Sequence, residues 1–146
     1  MDRRKMILVV EDNPDDEALT LRALQKNHIA HEIMVVHDGV EALDYLFGRG
    51  QFADRDMSIM PELVLLDLKL PKIDGLEVLR HLRHDERTAL IPVIVLTTSD
   101  EVTDRLESYR LYANSFIRKP VDFNKFMDAI RQIGMYWLVL NEPPPV

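Results

Sequence analysis

Four consecutive apolar residues, Leu63-Val64-Leu65-Leu66, form the most hydrophobic stretch of the chain, and they stop at Asp67. A short, unbroken apolar run fits a strand buried on both faces, as strands are inside a parallel sheet. Open sheets of that kind bind ligands at the carboxyl ends of their strands. A carboxylate placed there is a candidate site residue; the plainer alternative is a helix cap or a solvated strand exit. A second strand end bears on the choice. Met6-Ile7-Leu8-Val9-Val10 is another apolar run, and it stops at Glu11-Asp12. In the next segment, Asn13 suits a helix cap, Pro14 suits the first helical position, and Asp15, Asp16 and Glu17 complement the helix dipole. With the cap already supplied, Glu11 and Asp12 have no local role. If the two strands are neighbours, Glu11, Asp12 and Asp67 make an oxygen-rich pocket of the kind hard cations prefer, above all Mg²⁺.

Strand-like and helix-like segments alternate along the rest of the chain. Strands are expected over Lys5 to Val10, Ile33 to Val36, Leu63 to Leu66, Ile91 to Leu96 (ending at Thr97) and Ser115 to Arg118. Helices are expected from Pro14 to about Asn27, from Val40 to Phe47, after Gly75, from Val102 to about Leu111, and from Asp122 to about Leu140. Five βα units predict an α/β, doubly wound, five-stranded parallel sheet with helices on both faces. A longer polar loop, 48–61, separates the second helix from the third strand, and loops of this length often serve partners.

Bulk properties narrow the function. A chain of 146 residues with 47% hydrophobic residues supports one domain, expected over 1–140, with a mobile Pro-rich tail at 141–146. No stretch approaches the roughly 20 apolar residues a membrane span needs, and the first apolar run is too short for a signal peptide, so a cytoplasmic location and no membrane partner are expected. The absence of cysteine excludes disulfides and thiolate metal sites. A net charge of −7 without a basic stripe argues against direct nucleic-acid binding.

Glu11-Asp12, Asp67, Thr97, Phe116 and Lys119, each at the end of or within its own strand, together resemble the receiver domain of bacterial response regulators. The resemblance covers residues 5 to about 135. The chain is most similar to the phytochrome-associated single-domain response regulators, through Val10-Glu11-Asp12-Asn13-Pro14, the loop ending in Phe52-Ala53-Asp54, Val95 to Asp100, Ala113-Asn114, Lys119 to Asp122 and Tyr136-Trp137-Leu138. The resemblance implies a flavodoxin-like sheet order 2-1-3-4-5. It implies phosphoryl transfer from a histidine kinase, here a phytochrome-type one, onto Asp67. Mg²⁺ would be held by Glu11, Asp12, Asp67 and the backbone carbonyl of Lys69. Thr97 and Lys119 would contact the phosphoryl oxygens, and Thr97 with Phe116 would switch the surface formed by the fourth helix, fifth strand and fifth helix. A cis bond between Lys119 and Pro120 is also implied.

Several residues depart from the family pattern. Lys69 stands where many receivers have Asn or another small or polar residue. It could reach the phosphoryl group, crowd the hydrolytic water, compete with Mg²⁺, or point to solvent. Tyr112 stands where Gly is usual, at a turn where a left-handed backbone would suit glycine, so either the turn differs or the tyrosine makes a contact there; Phe116 replaces the commoner Tyr. His81 and His84 lie three apart on the third helix and, like His28 and His31, read as solvated surface. The apolar end of the last helix, residues 135–140, suggests self-association. The expected contact residues of a two-fold homodimer are Tyr112, Phe116, Phe123, Tyr136 and Trp137; the alternative is that 136–140 folds back on its own domain. Competing functions remain. A haloacid-dehalogenase-type phosphohydrolase would need a second Asp at Lys69, a transcriptional regulator would need a DNA-binding domain, and a degenerate receiver would act as a constitutive scaffold.

Overall fold

The structure, a computed structural model, describes residues 5–27, 32–99, 101–119 and 122–145. The Lys119–Pro120 bond and the pair His28 and His31 lie outside the described residues. Strands β1 (Met6–Val10), β3 (Leu63–Leu66) and β4 (Val93–Thr97) are buried at every position, as their unbroken apolar character requires. They form the centre of a five-stranded sheet completed by β2 (Glu32–Val36) and β5 (Ser115–Arg118), in the order β2-β1-β3-β4-β5. Every pairing is parallel. The expected flavodoxin-like order is therefore present, and the register Val10↔Leu66 makes β1 and β3 end side by side.

Successive residues of each central strand face opposite sides of the sheet, and two cores result. Leu8, Val10, Val64, Leu66, Val93 and Val95 pack with the buried faces of α2 (Gly39–Phe47) and α3 (Gly75–Arg83). Ile7, Val9, Leu63, Leu65, Ile94 and Leu96 pack with Ala23 and Leu24 of α1 (Pro14–Lys26) and Phe126 and Ile130 of α5 (Phe123–Gly134). Helix α4 (Val102–Arg110) lies beside α3 and β5 and buries only Ser108. The helix starts follow local chemistry. Asn13 accepts from the amides of Asp15 and Asp16, while Asp38, Asp74 and Asp122 cap α2, α3 and α5.

Some boundaries move. Strand β4 begins at Val93, because Pro92 has no N–H to offer a ladder and the Val93 amide donates to the Asn114 side chain at 2.8 Å. A 3₁₀ turn, Gly50–Phe52, sits inside the long loop. The last helix is α-helical only to Gly134 and continues as a π-helix over Met135–Leu140. The Asn141 amide there reaches back five residues to the Tyr136 carbonyl.

Tyr112 adopts the left-handed backbone that glycine would favour, with φ 60°. That conformation costs a side-chain-bearing residue roughly 1–2 kcal/mol. Arg83 offsets the cost. Its guanidinium donates to the carbonyls of Leu111, Ala89, Ile91 and Tyr112 at 2.8–3.0 Å. One side chain at the end of α3 thus ties together the turn after α4 and the entry to β4. Burial lowers its pKa from the usual arginine value.

Candidate functional site

The carboxyl edge of the sheet collects the residues that the strand ends single out. Glu11 follows β1, Asp67 follows β3, Thr97 ends β4 and Lys119 follows β5. Glu11 and Asp67 are buried and Asp12 is exposed, and one carboxylate oxygen from each lies within 4.8 Å of the others. The donor set is oxygen only, open on the Asp12 side, and matches a small hard divalent cation.

The Lys119 ammonium stands at the buried side of this cluster. It donates to Glu11 Oε1 at 2.7 Å and to Asp16 Oδ2 at 2.7 Å, and lies 3.5 Å from Asp67 Oδ2. Burial pushes the Glu11 carboxyl up to about 7; the hydrogen bond from Lys119 opposes this and the neighbouring Asp67 reinforces it. Burial also pulls Lys119 down, yet its bonds to Asp16 and Glu11 outweigh that and leave its pKa raised. An ammonium and crowded carboxylates thus hold one another in charged or proton-sharing forms that neither would keep alone.

Thr97 is fully buried. Its hydroxyl oxygen accepts from the Ser99 amide at 3.3 Å, and its carbonyl accepts from the Lys119 amide at 2.6 Å. The Lys69 amide donates to Asp67 Oδ1 at 3.1 Å, so the chain curls around the Asp67 carboxylate. Phe116 is half-buried against the α3-side core. It borders a hollow of about 120 Å³ with Ser99, Glu101, Arg105 and Arg118. The carboxyl edge thus brings together Glu11, Asp12, Asp67 and Lys119, with the Lys69 amide bound to Asp67 and the Thr97 carbonyl to the Lys119 amide.

Two features were missed. Asp16 reads in sequence as a dipole-complementing acid of the first helical turn, but it reaches back to Lys119. Its place one turn past the Glu11-Asp12 strand end was the available signal. The Lys69 side chain neither enters the cluster nor stands free in solvent. Its ammonium lies 3.4 Å from Asp104 and 4.0 Å from Glu101 at the start of α4, a pairing across 35 residues that no local pattern announces. His81 and His84 bond to the Glu77 and Arg80 carbonyls of their own helix.

The residues expected in a dimer contact divide into two groups. Tyr112, Phe123 and Tyr136 are exposed, whereas Phe116 and Trp137 are half-buried against their own cores. Leu138 is 1% exposed, so the apolar end of the chain is partly committed to its own domain.

Comparison with known proteins agrees with this geometry. The response regulator receiver domain matches residues 7–131. The chain is 39% identical over 139 residues to the probable methanogenesis regulatory protein FilR2 of Methanothrix harundinacea, covering 95% of this chain and 87% of that one. It is 37% identical over 134 residues to response regulator Rcp1 of Synechocystis, covering 92% and 89%. Among solved structures, the phosphorylated cyanobacterial phytochrome response regulator RcpA superposes with a TM-score of 0.88 at 38% identity, over 98% of this chain and 100% of that one. The Mn²⁺-bound form of Rcp1 superposes with a TM-score of 0.86 at 35% identity, over 97% and 99%. A parallel sheet of order 2-1-3-4-5, an acidic cluster at its carboxyl edge and these matches have one reading: the chain belongs to the response regulator receiver domain family and is a signalling regulator of the two-component type rather than a classical enzyme.

Proposed function

We infer that this receiver takes a phosphoryl group from a histidine kinase onto Asp67. The observation that carries the reading is the placement of Asp67: a buried carboxylate beside Glu11 and Asp12, with the Lys119 ammonium 3.5 Å away. In the transfer, an Asp67 carboxylate oxygen bonds to phosphorus as the bond from phosphorus to the donor's histidine nitrogen breaks. Asp67 then carries an acyl phosphate. The Glu11, Asp12 and Asp67 carboxylates with the Lys69 backbone carbonyl would hold Mg²⁺, which supplies positive charge against the incoming phosphoryl oxygens. Lys119 moves its ammonium from Glu11 and Asp16 toward a phosphoryl oxygen. Thr97 gives its hydroxyl proton to another in a hydrogen bond. The β4 end is drawn inward, and Phe116 turns into the space vacated.

The likeness to RcpA supports a phytochrome-type kinase as donor. Residues 1–140 act as one receiver domain, with the loop 48–61 available to a partner and 141–146 as a tail. The protein works in the cytoplasm without direct nucleic-acid or membrane contact, and it self-associates as a two-fold dimer through α4, β5 and α5. Exposure of Tyr112, Phe123 and Tyr136 on neighbouring elements supports the dimer; Phe116 and Trp137 would join it only at their outer edges.

Incubation with Mg²⁺ and acetyl phosphate tests the phosphoacceptor. Wild type should gain one phosphoryl group, Asp67→Asn should gain none, and transfer from a phytochrome-type kinase should follow the same pattern. Phosphorylation of Asp67→Asn at wild-type stoichiometry overturns the assignment. A wild type that never gains the group leaves the constitutive scaffold as the correct reading.

A further inference from the structure

We propose that Asp104 is a positioning residue. It holds the Lys69 ammonium on α4 in the resting protein and yields it to the phosphoryl group once Asp67 is modified. This rests on Asp67 being the phosphoacceptor.

The geometry sets up a competition. Lys69 lies two residues after Asp67, and its amide is already bound to the Asp67 carboxylate. Its ammonium can stay at the start of α4, nearest Asp104 and 4.0 Å from Glu101, or turn toward Asp67. At rest Asp67 has the Lys119 ammonium beside it at 3.5 Å, so its charge is partly answered. Among the described residues, Lys69 is the only cation paired with Asp104, its ammonium lying 3.4 Å away. Phosphorylation replaces the single negative charge of the Asp67 carboxylate with roughly two on phosphoryl oxygens, a net gain of about one, and carries that charge outward from Asp67. The balance then favours the phosphoryl oxygens. An open volume of about 280 Å³, lined by Leu68, Lys69, Leu70, Asp74, Leu76 and Asp104, leaves the lysine free to swing.

What Asp104 does besides holding Lys69 makes the exchange consequential. Its Oδ2 also accepts the Ser99 hydroxyl at 2.6 Å. The Ser99 amide is in turn bound to the Thr97 hydroxyl oxygen at 3.3 Å. Asp104 is thus tied to the β4 end on one side and to the β3 loop, through Lys69, on the other. Glu101, the residue that precedes α4, makes no side-chain cap of its own. When Lys69 leaves, α4 keeps its link through Ser99 to Thr97, the residue that moves toward the phosphoryl group, and loses its link to the loop after β3. The start of α4 then follows Thr97.

The test is the decay of the aspartyl phosphate in four proteins: wild type, Asp104→Asn, Lys69→Ala and the double variant. Each is loaded from acetyl phosphate with Mg²⁺. Asp104→Asn removes the nearer competing charge and keeps the shape, leaving only the longer Glu101 pair to hold Lys69 from the phosphoryl group. Uptake should reach the wild-type stoichiometry and the half-life should lengthen about two- to fivefold, the range a half-exposed ion pair supports. In the Lys69→Ala background the same substitution should leave the half-life unchanged. Equal half-lives in wild type and Asp104→Asn overturn the proposal. So does an equal shift with and without Lys69, since Asp104 would then act through α4 alone. A wild type that takes up no phosphoryl group defeats both this proposal and the phosphoacceptor assignment, whereas normal uptake with unaltered decay defeats the proposal only.

Discussion

Replacing Gly75 with alanine would put a methyl group into the backbone that carries Asp67. A Cβ at Gly75 lies 2.2 Å from the Asp67 carbonyl oxygen, 2.6 Å from the Leu68 Cα and 3.0 Å from the Asp67 carbonyl carbon. All three are backbone atoms, so no rotamer change relieves the overlap. The contact is further pinned by the hydrogen bond from the Gly75 amide to the Leu68 carbonyl at 2.9 Å. Overpacking of this sort costs about 1–3 kcal/mol, and a rigid backbone neighbour puts it at the upper end. Alanine in the first turn of a helix returns at most about 1 kcal/mol. The net is roughly 2 kcal/mol of lost stability, or a melting temperature lower by about 5–8 °C for a domain of this size. The segment that must yield bears the central carboxylate, so Mg²⁺ affinity should fall as well. Thermal melts in EDTA and calorimetric Mg²⁺ titrations of both proteins measure the two effects. An alanine variant that melts at or above wild type, with unchanged Mg²⁺ affinity, would refute the close-approach argument.

Other expectations rest on separate features. Lys119→Met leaves Glu11 and Asp16 without their shared cation, and should cost about 3 kcal/mol in the absence of Mg²⁺; a denaturant midpoint equal to wild type counts against the ion-pair network. Asp38→Ala should cost about 1 kcal/mol at neutral pH through loss of the α2 cap. Burial opposes ionisation of Asp38, but the Glu41 amide and Lys72 outweigh it and hold its pKa below the ordinary 3.8. A depressed carboxyl stabilises above its unfolded pKa, so the deficit should be constant near neutrality and shrink as pH drops below about 3.8 through the folded value; a deficit independent of pH there argues that the charge plays no part. Wild type should sediment as a dimer at tens of micromolar (~10⁻⁵ M), and the double variant Tyr112→Glu/Tyr136→Glu as a folded monomer. Both residues are exposed, which makes them a cleaner probe than truncation, since cutting the chain after Ile133 also removes the buried Leu138. A monomeric wild type at that concentration removes the dimer.

The parts of this fold legible in sequence were those set by one-dimensional pattern. Leu63 to Leu66 and Met6 to Val10 announced strands covered on both faces, and Asn13-Pro14 announced the start of α1. Adjacency of Glu11 and Asp67 followed only from the sheet order, which came from resemblance and not from the apolar runs. The contacts that surround the site were hidden for a physical reason. Lys119 meets Asp16 across 103 residues and Lys69 meets Asp104 across 35, and each of these charged side chains, read in its own window, is an ordinary surface charge. The π-helix at Met135–Leu140 was equally silent, because six consecutive apolar residues satisfy any helical pitch. At Tyr112 the sequence marked only a departure, a bulky residue where glycine is usual; that the turn stays left-handed and that Arg83 stabilises it gave no local sign.

The four carbonyls gathered by Arg83 also determine where α4 can bend. Leu111 and Tyr112 follow its last turn, and the guanidinium fixes both to α3 and to the entry of β4. Among the described residues, the opposite end is held through polar side chains: Ser99 bonds Asp104 and the Glu101 amide, and Lys69 pairs with Asp104 and, at 4.0 Å, with Glu101. A nine-residue helix built this way is a cantilever about 13 Å long, rooted at Tyr112 and loose at Val102. A small displacement of the β4 end therefore becomes a swing of the free tip rather than a slide of the whole rod. Val102, apolar and exposed at that tip, sweeps the largest arc, with the exposed Leu106 about one turn further in, and a partner that reads the state of this receiver gains most by gripping there.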